Sequence, residues 1–277
     1  MRQRVFTTVG LWAAVVGLLW LFGFYGGLVL IVLFSELAQK ETYRLLSRTG
    51  GDPLGAGGRL AGLLFLGLVG GLAVSNAVPV PYAVSLGIVL PSLAAWVMVR
   101  SPVHQLPRRL FPTLTGFLLV PGCLAFLLLT ATLVPAARPE GLFLAVWVVA
   151  VAKFSDVGAL LVGGRIGRRP LAPAYSPKKT VEGAAGGVLT SVVVGAALPL
   201  AFPSFAPDTL PFFLFPALAV LLAVAAILSD LLGSALKRAA NVKDSGARIP
   251  GIGGGLDLVD SLLLSAPLGY AVLSLAL

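Results

Sequence analysis

Between Ser229 and Asp260 the sequence gathers carboxylates, basic side chains and glycines at spacings that suit a nucleoside triphosphate. Asp230 stands at the end of an apolar run, and Lys237 and Arg238 follow about two helical turns later. Lys243 and Asp244 open a loop that closes on Pro250-Gly251-Ile252-Gly253-Gly254-Gly255. Asp257 and Asp260 then lie three apart, which predicts one face of the next helix's first turn. Carboxylates bind hard cations such as Mg²⁺, which bridge to substrate phosphates. Glycines let backbone N–H groups approach phosphate oxygens, and Lys and Arg supply countercharge. A second block runs from Asp156 through Gly163 and Gly167 to Ser176-Pro177-Lys178-Lys179. Ser176 reads as a helix cap with Pro177 in the first position, presenting Lys178 and Lys179 beside a helix start. Each residue alone also has a plain reading. Basic residues after a span are topology signals, three glycines make a flexible turn, and an early aspartate suits the helix dipole. Three aspartates bracketing one Lys/Arg/Gly loop are harder to dismiss.

The elements that must position these residues are membrane spans. The 277-residue chain is 58% hydrophobic and 11% charged, with a mean hydropathy of +0.99. A soluble domain carries about 25% charged residues. Apolar runs occupy 5–21, 24–38, 60–78, 82–99, 111–134, 141–163, 184–202, 210–232 and 257–277, and about 20 residues cross a hydrocarbon core. A single helix over 5–38 would be about 50 Å long, so a tight hairpin around Phe22–Gly27 is expected. The prediction is an all-α, polytopic transmembrane protein of about nine spans with a cytoplasmic N-terminus. Of its 20 basic residues, this layout leaves Arg138 outside and Lys153 within a span, and every other one on the cytoplasmic face. The net charge of +9 is thereby a matter of topology, and nothing points to nucleic acid. Residues 1–140 read as an N-terminal transmembrane region. Residues 141–277 read as the region that carries chemistry, with cytoplasmic loops 164–183 and 233–256.

The remaining reactive residues are few. Cys123 stands alone in an apolar run, so it forms no internal disulfide. His104, the one histidine, lies in a basic loop and reads as interfacial. Lys153, three residues before Asp156, is an intramembrane charge. It is either a functional residue or the neutralising partner of Asp156.

The later stretch resembles the signature of the phosphatidate cytidylyltransferase (CDP-diacylglycerol synthase) family. The match runs without a gap through Ser234, Lys237, Arg238, Lys243, Asp244, Ser245, Gly246, Pro250, Gly251, Gly253, Gly254, Asp257 and Asp260. The earlier block is similar to the family's second motif through Asp156, Gly163, Gly167 and Ser176-Pro-Lys-Lys-Thr-Val-Glu-Gly183. The resemblance covers about 150–265; the N-terminal half follows mainly in hydropathy, apart from Glu41-Thr-Tyr-Arg-Leu-Leu. Four positions depart from the pattern. Ile252 replaces a histidine, Leu258 and Gly164 each replace an arginine, and Gly233 replaces an acidic residue of many members.

The resemblance implies cytidylyl transfer from CTP to phosphatidic acid at the inner (plasma) membrane, with Mg²⁺. Asp230, Asp257, Asp260, Lys243 and Asp244 would be catalytic. Asp230, Asp257, Asp260 and Asp156 would hold metal. Ser176, Lys178, Lys179, Lys237, Arg238, Gly251, Gly253 and Gly254 would bind phosphates. The lipid phosphate is already anionic near neutral pH, so neither a Ser-His nor a Cys-His pair is required. A CTP-dependent lipid kinase, a synthase for another lipid phosphate and a transporter remain open alternatives, as does a homodimer as the assembly.

Overall fold

A computed structural model describes residues 2–75, 80–135, 139–246 and 253–277. The chain is helical almost throughout. In order it forms α1 (Arg2–Arg48), α2 (Gly55–Ser75), α3 (Pro81–Arg100), α4 (Leu106–Phe117), α5 (Cys123–Ala131), α6 (Pro139–Ile166), β1 (Pro170–Ala172), β2 (Ser176–Thr180), α7 (Val181–Ala201), α8 (Leu214–Ala239), α9 (Gly255–Val259) and α10 (Leu262–Ala276). Among the described residues, eight helices are long and apolar enough to cross a membrane. The protein is a multi-pass membrane protein.

The difference from nine spans lies in the first element. The runs expected at 5–21 and 24–38 fall within α1, which breaks at Gly23 (φ 52°, ψ −126°). That backbone conformation is open to glycine and costly for other residues. The chain turns tightly enough there that a methyl on Gly26 would overlap the Leu18 carbonyl.

The chain divides into two compact units, one comprising Met1–Leu129 with Leu236–Val259, the other Thr130–Ala235 with Asp260–Leu277. In the first unit α1, α2, α3 and α4 pack around Phe65, Val69, Val97, Phe117 and Val120, all fully buried. The Phe65 ring meets Phe117 edge-to-face at 5.3 Å, an arrangement favoured by ring quadrupoles. Several buried polar groups are paired. Tyr43 Oη donates to the Thr113 carbonyl (3.0 Å) and accepts from Gln39 Nε2 (3.0 Å), which also donates to the Gly58 carbonyl (2.9 Å). Between α4 and α5 a π-turn, Leu118–Gly122, contains Pro121. Proline lacks an N–H and crowds the preceding turn, and a wider turn accommodates both.

In the second unit α6 and α7 are held together by small residues. A methyl on Gly158 would overlap Thr190, and one on Gly187 would crowd the Ser155 carbonyl. Close backbone approach of this kind is how helices gain packing where lipid offers no hydrophobic drive. Ser191 Oγ donates to the Val151 carbonyl (2.8 Å), and the buried Trp147 donates through Nε1 to the Gly195 carbonyl (2.9 Å).

The α6–α7 connection departs from the sequence reading. β1 and β2 pair antiparallel, with Pro170 opposite Thr180 and Ala172 opposite Ser176. Ser176 therefore lies in a strand and caps no helix. The residue before a proline is driven to extended backbone, and Ser176-Pro177 continues in that direction. The cap is Thr180, whose Oγ1 accepts from the Gly183 N–H (3.1 Å).

Candidate active site

In the second unit, α6, α7, α8 and β2 enclose a cavity of about 550 Å³. Asp156 reaches it from α6, Lys178 and Lys179 from β2, Thr180 from the cap of α7, and Asp230 from α8. Four of the residues predicted to bind phosphate or metal thus share one space. Lys179 Nζ donates to Asp230 Oδ2, and the two side chains are 27% and 20% exposed. Leu160, Leu171 and Ile227 also line it, so charged and large apolar side chains share one cavity. Gly164 also lines the cavity, and beyond its Cα there is open space.

Lys153 is not in the cavity wall. Its Nζ donates to Ser261 Oγ (2.7 Å) and lies 3.9 Å from Asp156 Oδ2. This geometry favours the neutralising reading of the pair. The hairpin that presents the two lysines is tied down by Glu182. Its Oε2 accepts from the Arg168 and Arg169 N–H groups at 3.0 and 3.1 Å. The Val181 N–H donates to the Arg169 carbonyl (2.8 Å). The local sign of this arrangement was Thr180-Val-Glu-Gly183, where a cap and an early acidic residue stand together.

Asp260 belongs to the same unit and does not line the cavity. Buried at 5% exposure, it follows the five-residue α9 rather than completing it. Its Oδ1 accepts from the Ser261 N–H (2.9 Å), and its carbonyl accepts from Ser229 Oγ. Gly233 faces it closely: a methyl there would stand 3.1 Å from Asp260 Cβ.

In the first unit a second charged cluster is built on Asp257. Lys237 Nζ donates to Oδ1 (2.6 Å), while the Gly254 N–H and Ser245 Oγ both reach Oδ2 (3.0 Å each). Gly253 has φ +119°, which turns the chain so that the next N–H points back to that carboxylate. Arg238 donates to the Val242 carbonyl (3.2 Å). Lys243 and Asp244 are exposed. Gly251, with Pro250 and Ile252, lies outside the described residues. Glu41, whose motif sequence reasoning left without a role, is fully buried and contacts Ser245 and Leu256.

Among the described residues, no three His, Cys, Asp or Glu side chains gather as a ready-made metal cage. Mg²⁺ does not need one, because it is usually held by one or two carboxylates and completed by water and substrate phosphates. Asp156 and Asp230 fit that description, as hard oxygen donors lining one cavity beside two ammonium groups. The ammonium of Lys179 on Asp230 marks a place where that carboxylate already receives positive charge.

The family model described as "Cytidylyltransferase family" matches residues 2–276. The chain belongs to the cytidylyltransferase family. It is similar to the phosphatidate cytidylyltransferase of Bacillus subtilis (strain 168), 42% identical over 121 residues, 44% of this chain and 44% of that protein. The phosphatidate cytidylyltransferase of Chlamydia muridarum is 36% identical over 134 residues, 48% of this chain and 44% of that protein. That of Staphylococcus saprophyticus is 37% identical over 131 residues, 47% and 49% of the two chains. The matched segment spans about half the length of these curated relatives. Membership in the cytidylyltransferase family bears out the resemblance carried by the two motif blocks.

Proposed function

We propose that this protein transfers the cytidylyl group of CTP to phosphatidic acid in the inner (plasma) membrane, giving CDP-diacylglycerol and pyrophosphate. The observation that carries this reading is the cavity that Asp156, Asp230, Lys178 and Lys179 line together with Leu160, Leu171 and Ile227. A lipid phosphate likewise joins an anionic head to apolar chains. Two lysines suit the phosphates, and the two carboxylates suit the metal that accompanies a triphosphate.

A phosphate oxygen of the lipid forms a bond to the α-phosphorus of CTP, and the bond from that phosphorus to the β-phosphate bridging oxygen breaks. Pyrophosphate leaves with the electron pair. The nucleophile is already an anion, so the chain has to position and neutralise rather than take a proton. Lys178 and Lys179 orient phosphate oxygens, and Thr180 and Glu182 fix the hairpin that carries them. Asp156 and Asp230 would hold Mg²⁺, which supplies charge neutralisation at the phosphates. The proposal extends metal binding to Asp257 and Asp260. It extends phosphate contacts to Ser176, Lys237, Arg238 and the Gly251, Gly253 and Gly254 backbone, and catalytic roles to Lys243 and Asp244.

The test is purified protein with CTP, Mg²⁺ and phosphatidic acid. CDP-diacylglycerol and pyrophosphate are expected in equal amounts, with CTP or dCTP and not with ATP. A phosphorylated lipid with release of CDP would instead mark a kinase. Product with an isoprenoid phosphate and none with phosphatidic acid would mark another CDP-lipid synthase. Solute flux into vesicles without nucleotide turnover would overturn the enzymatic reading.

A further inference from the structure

Glu41 is a carboxylate with no exposed surface in an apolar helix. Burying such a group costs several kcal/mol unless donors satisfy it. Two donors do so, and both come from the far end of the sequence. Ser245 Oγ lies 2.8 Å from Glu41 Oε2, and the Leu256 N–H donates to the same oxygen at 3.0 Å. The sequence separations are 204 and 215 residues. The glycines around this carboxylate are spatially required. A methyl on Gly246 would overlap Oε1, and a methyl on Gly254 would overlap both Oε2 and Ser245 Oγ.

Ser245 and Leu256 flank the turn that orients Asp257. The Ser245 hydroxyl has one hydrogen and two carboxylate neighbours, Glu41 Oε2 at 2.8 Å and Asp257 Oδ2 at 3.0 Å. Each carboxylate also has a partner of its own. Leu256 N–H serves Glu41, while Lys237 and Gly254 serve Asp257. Ser245 is therefore the link through which Glu41 acts on Asp257. Oε1 of Glu41 has no hydrogen-bond partner. The clamp thus rests on one oxygen, and shortening the side chain withdraws it from both donors together.

We propose that Glu41 is a positioning residue: it clamps Ser245 and the Leu256 amide, and through them fixes the carboxylate of Asp257. The reading rests on the proposed cytidylyl transfer for its effect on rate, and on geometry alone for the clamp. Glu41→Asp keeps the charge and loses the reach. Glu41→Gln keeps the reach and one acceptor oxygen, and serves as the conservative variant.

The experiment uses the full chain in detergent, first by amide hydrogen exchange. In Glu41→Asp the segment 245–257 is expected to exchange at least tenfold faster at Leu256, with the α2–α4 amides unchanged; Glu41→Gln is expected to retain protection. Unchanged exchange at Leu256, or faster exchange throughout the first unit, overturns the clamp. The second readout is kinetic. Displacing a group that orients a ligand typically costs about 10–100-fold. That loss is expected in kcat for Glu41→Asp, with KM for phosphatidic acid unchanged and recovery in Glu41→Gln. Ser245→Ala is expected to lose a similar factor, and the double variant to be no more than about threefold worse than the poorer single one, because both act through one link. Multiplicative losses, or a raised KM with unchanged kcat, overturn the positioning role. If the wild-type chain makes no CDP-lipid, the proposed function fails, and hydrogen exchange still decides the clamp.

Discussion

Asp230→Asn is the substitution whose effect follows most directly from the cavity. The amide keeps the volume of the carboxylate and removes its charge. Asp230 and its partner Lys179 are 20% and 27% exposed, a setting between bulk water and a dry interior. At an effective dielectric of about 20, two unit charges about 4 Å apart interact by about 4 kcal/mol. A neutral amide forfeits most of that at a site where positive charge must be held against phosphates. At about 1.4 kcal/mol per factor of ten, kcat is expected to fall by about 10²–10³. Lys179 would at the same time lose its intramolecular partner and become a freer phosphate donor. The KM for CTP is accordingly expected to hold or fall while kcat collapses, a split that unfolding does not produce. The assay is CDP-lipid formation across CTP and Mg²⁺ titrations on protein matched for monodispersity and Tm. Asp52→Asn is the control. It removes an ion pair with Arg109 whose aspartate is 61% exposed, and such pairs contribute about 0–1 kcal/mol. A kcat for Asp230→Asn within threefold of wild type would refute the assignment of that carboxylate. So would a loss accompanied by a raised KM for CTP.

Three further outcomes are expected. Gly164→Arg places a guanidinium at a cavity position where an added Cβ meets nothing within 4 Å, so KM for CTP is expected to fall without a drop in Tm; a lower Tm with unchanged KM would contradict this. Thr180→Ala removes the cap on the Gly183 N–H and is expected to cost about 1 kcal/mol of stability, visible as a lower Tm that Thr180→Ser restores. A reporter active only outside the cytoplasm is expected to be silent at Ser176 and active after Leu277 in a bacterial host, and the reverse pattern would invert the charge-based topology.

The sequence was most legible where the physics is local or additive. Hydropathy summed over about 20 residues located the spans, because burial in hydrocarbon acts on every residue of a run. Within the segment Phe22–Gly27, where a hairpin was expected, the helix breaks at Gly23, since glycine is where a helix can turn at least cost. Asp156, Lys178, Lys179 and Asp230 were each legible as candidates, but in two separate motif blocks, with Asp230 read beside Asp257 and Asp260. That the first four line one cavity is a contact between elements that neither block contains. Ser176-Pro177 misled for an instructive reason. Serine followed by proline is a sound local signal for a helix start, but it is also sound for an extended strand. What decided between them was pairing with Pro170–Ala172, a contact that no window around Ser176 contains.

Glu41 is the same lesson at longer range. Within α1 it stands among Gln39, Lys40, Thr42 and Arg44, and helical spacing offers it only Arg44, three residues on, as a partner. Its meaning comes from Ser245 and Leu256, more than 200 positions away, where the glycines at 246 and 254 make room for a carboxylate that neither glycine contacts in sequence. A glycine-rich segment read alone looks like a loop shaped for phosphate. The buried carboxylate beside it shows a second demand on the same glycines, because Gly246 and Gly254 are small where Glu41 must fit. The signature segment is therefore incomplete without the N-terminal helix. A chain that kept residues 236–259 and replaced Glu41 by an apolar residue would leave the Leu256 N–H and the Ser245 hydroxyl without that acceptor. The Ser245 hydroxyl would be left to Asp257 alone, and the unpaired Leu256 N–H would cost about 1–3 kcal/mol, enough to loosen the turn that aims Asp257 while every residue of the signature remained in place.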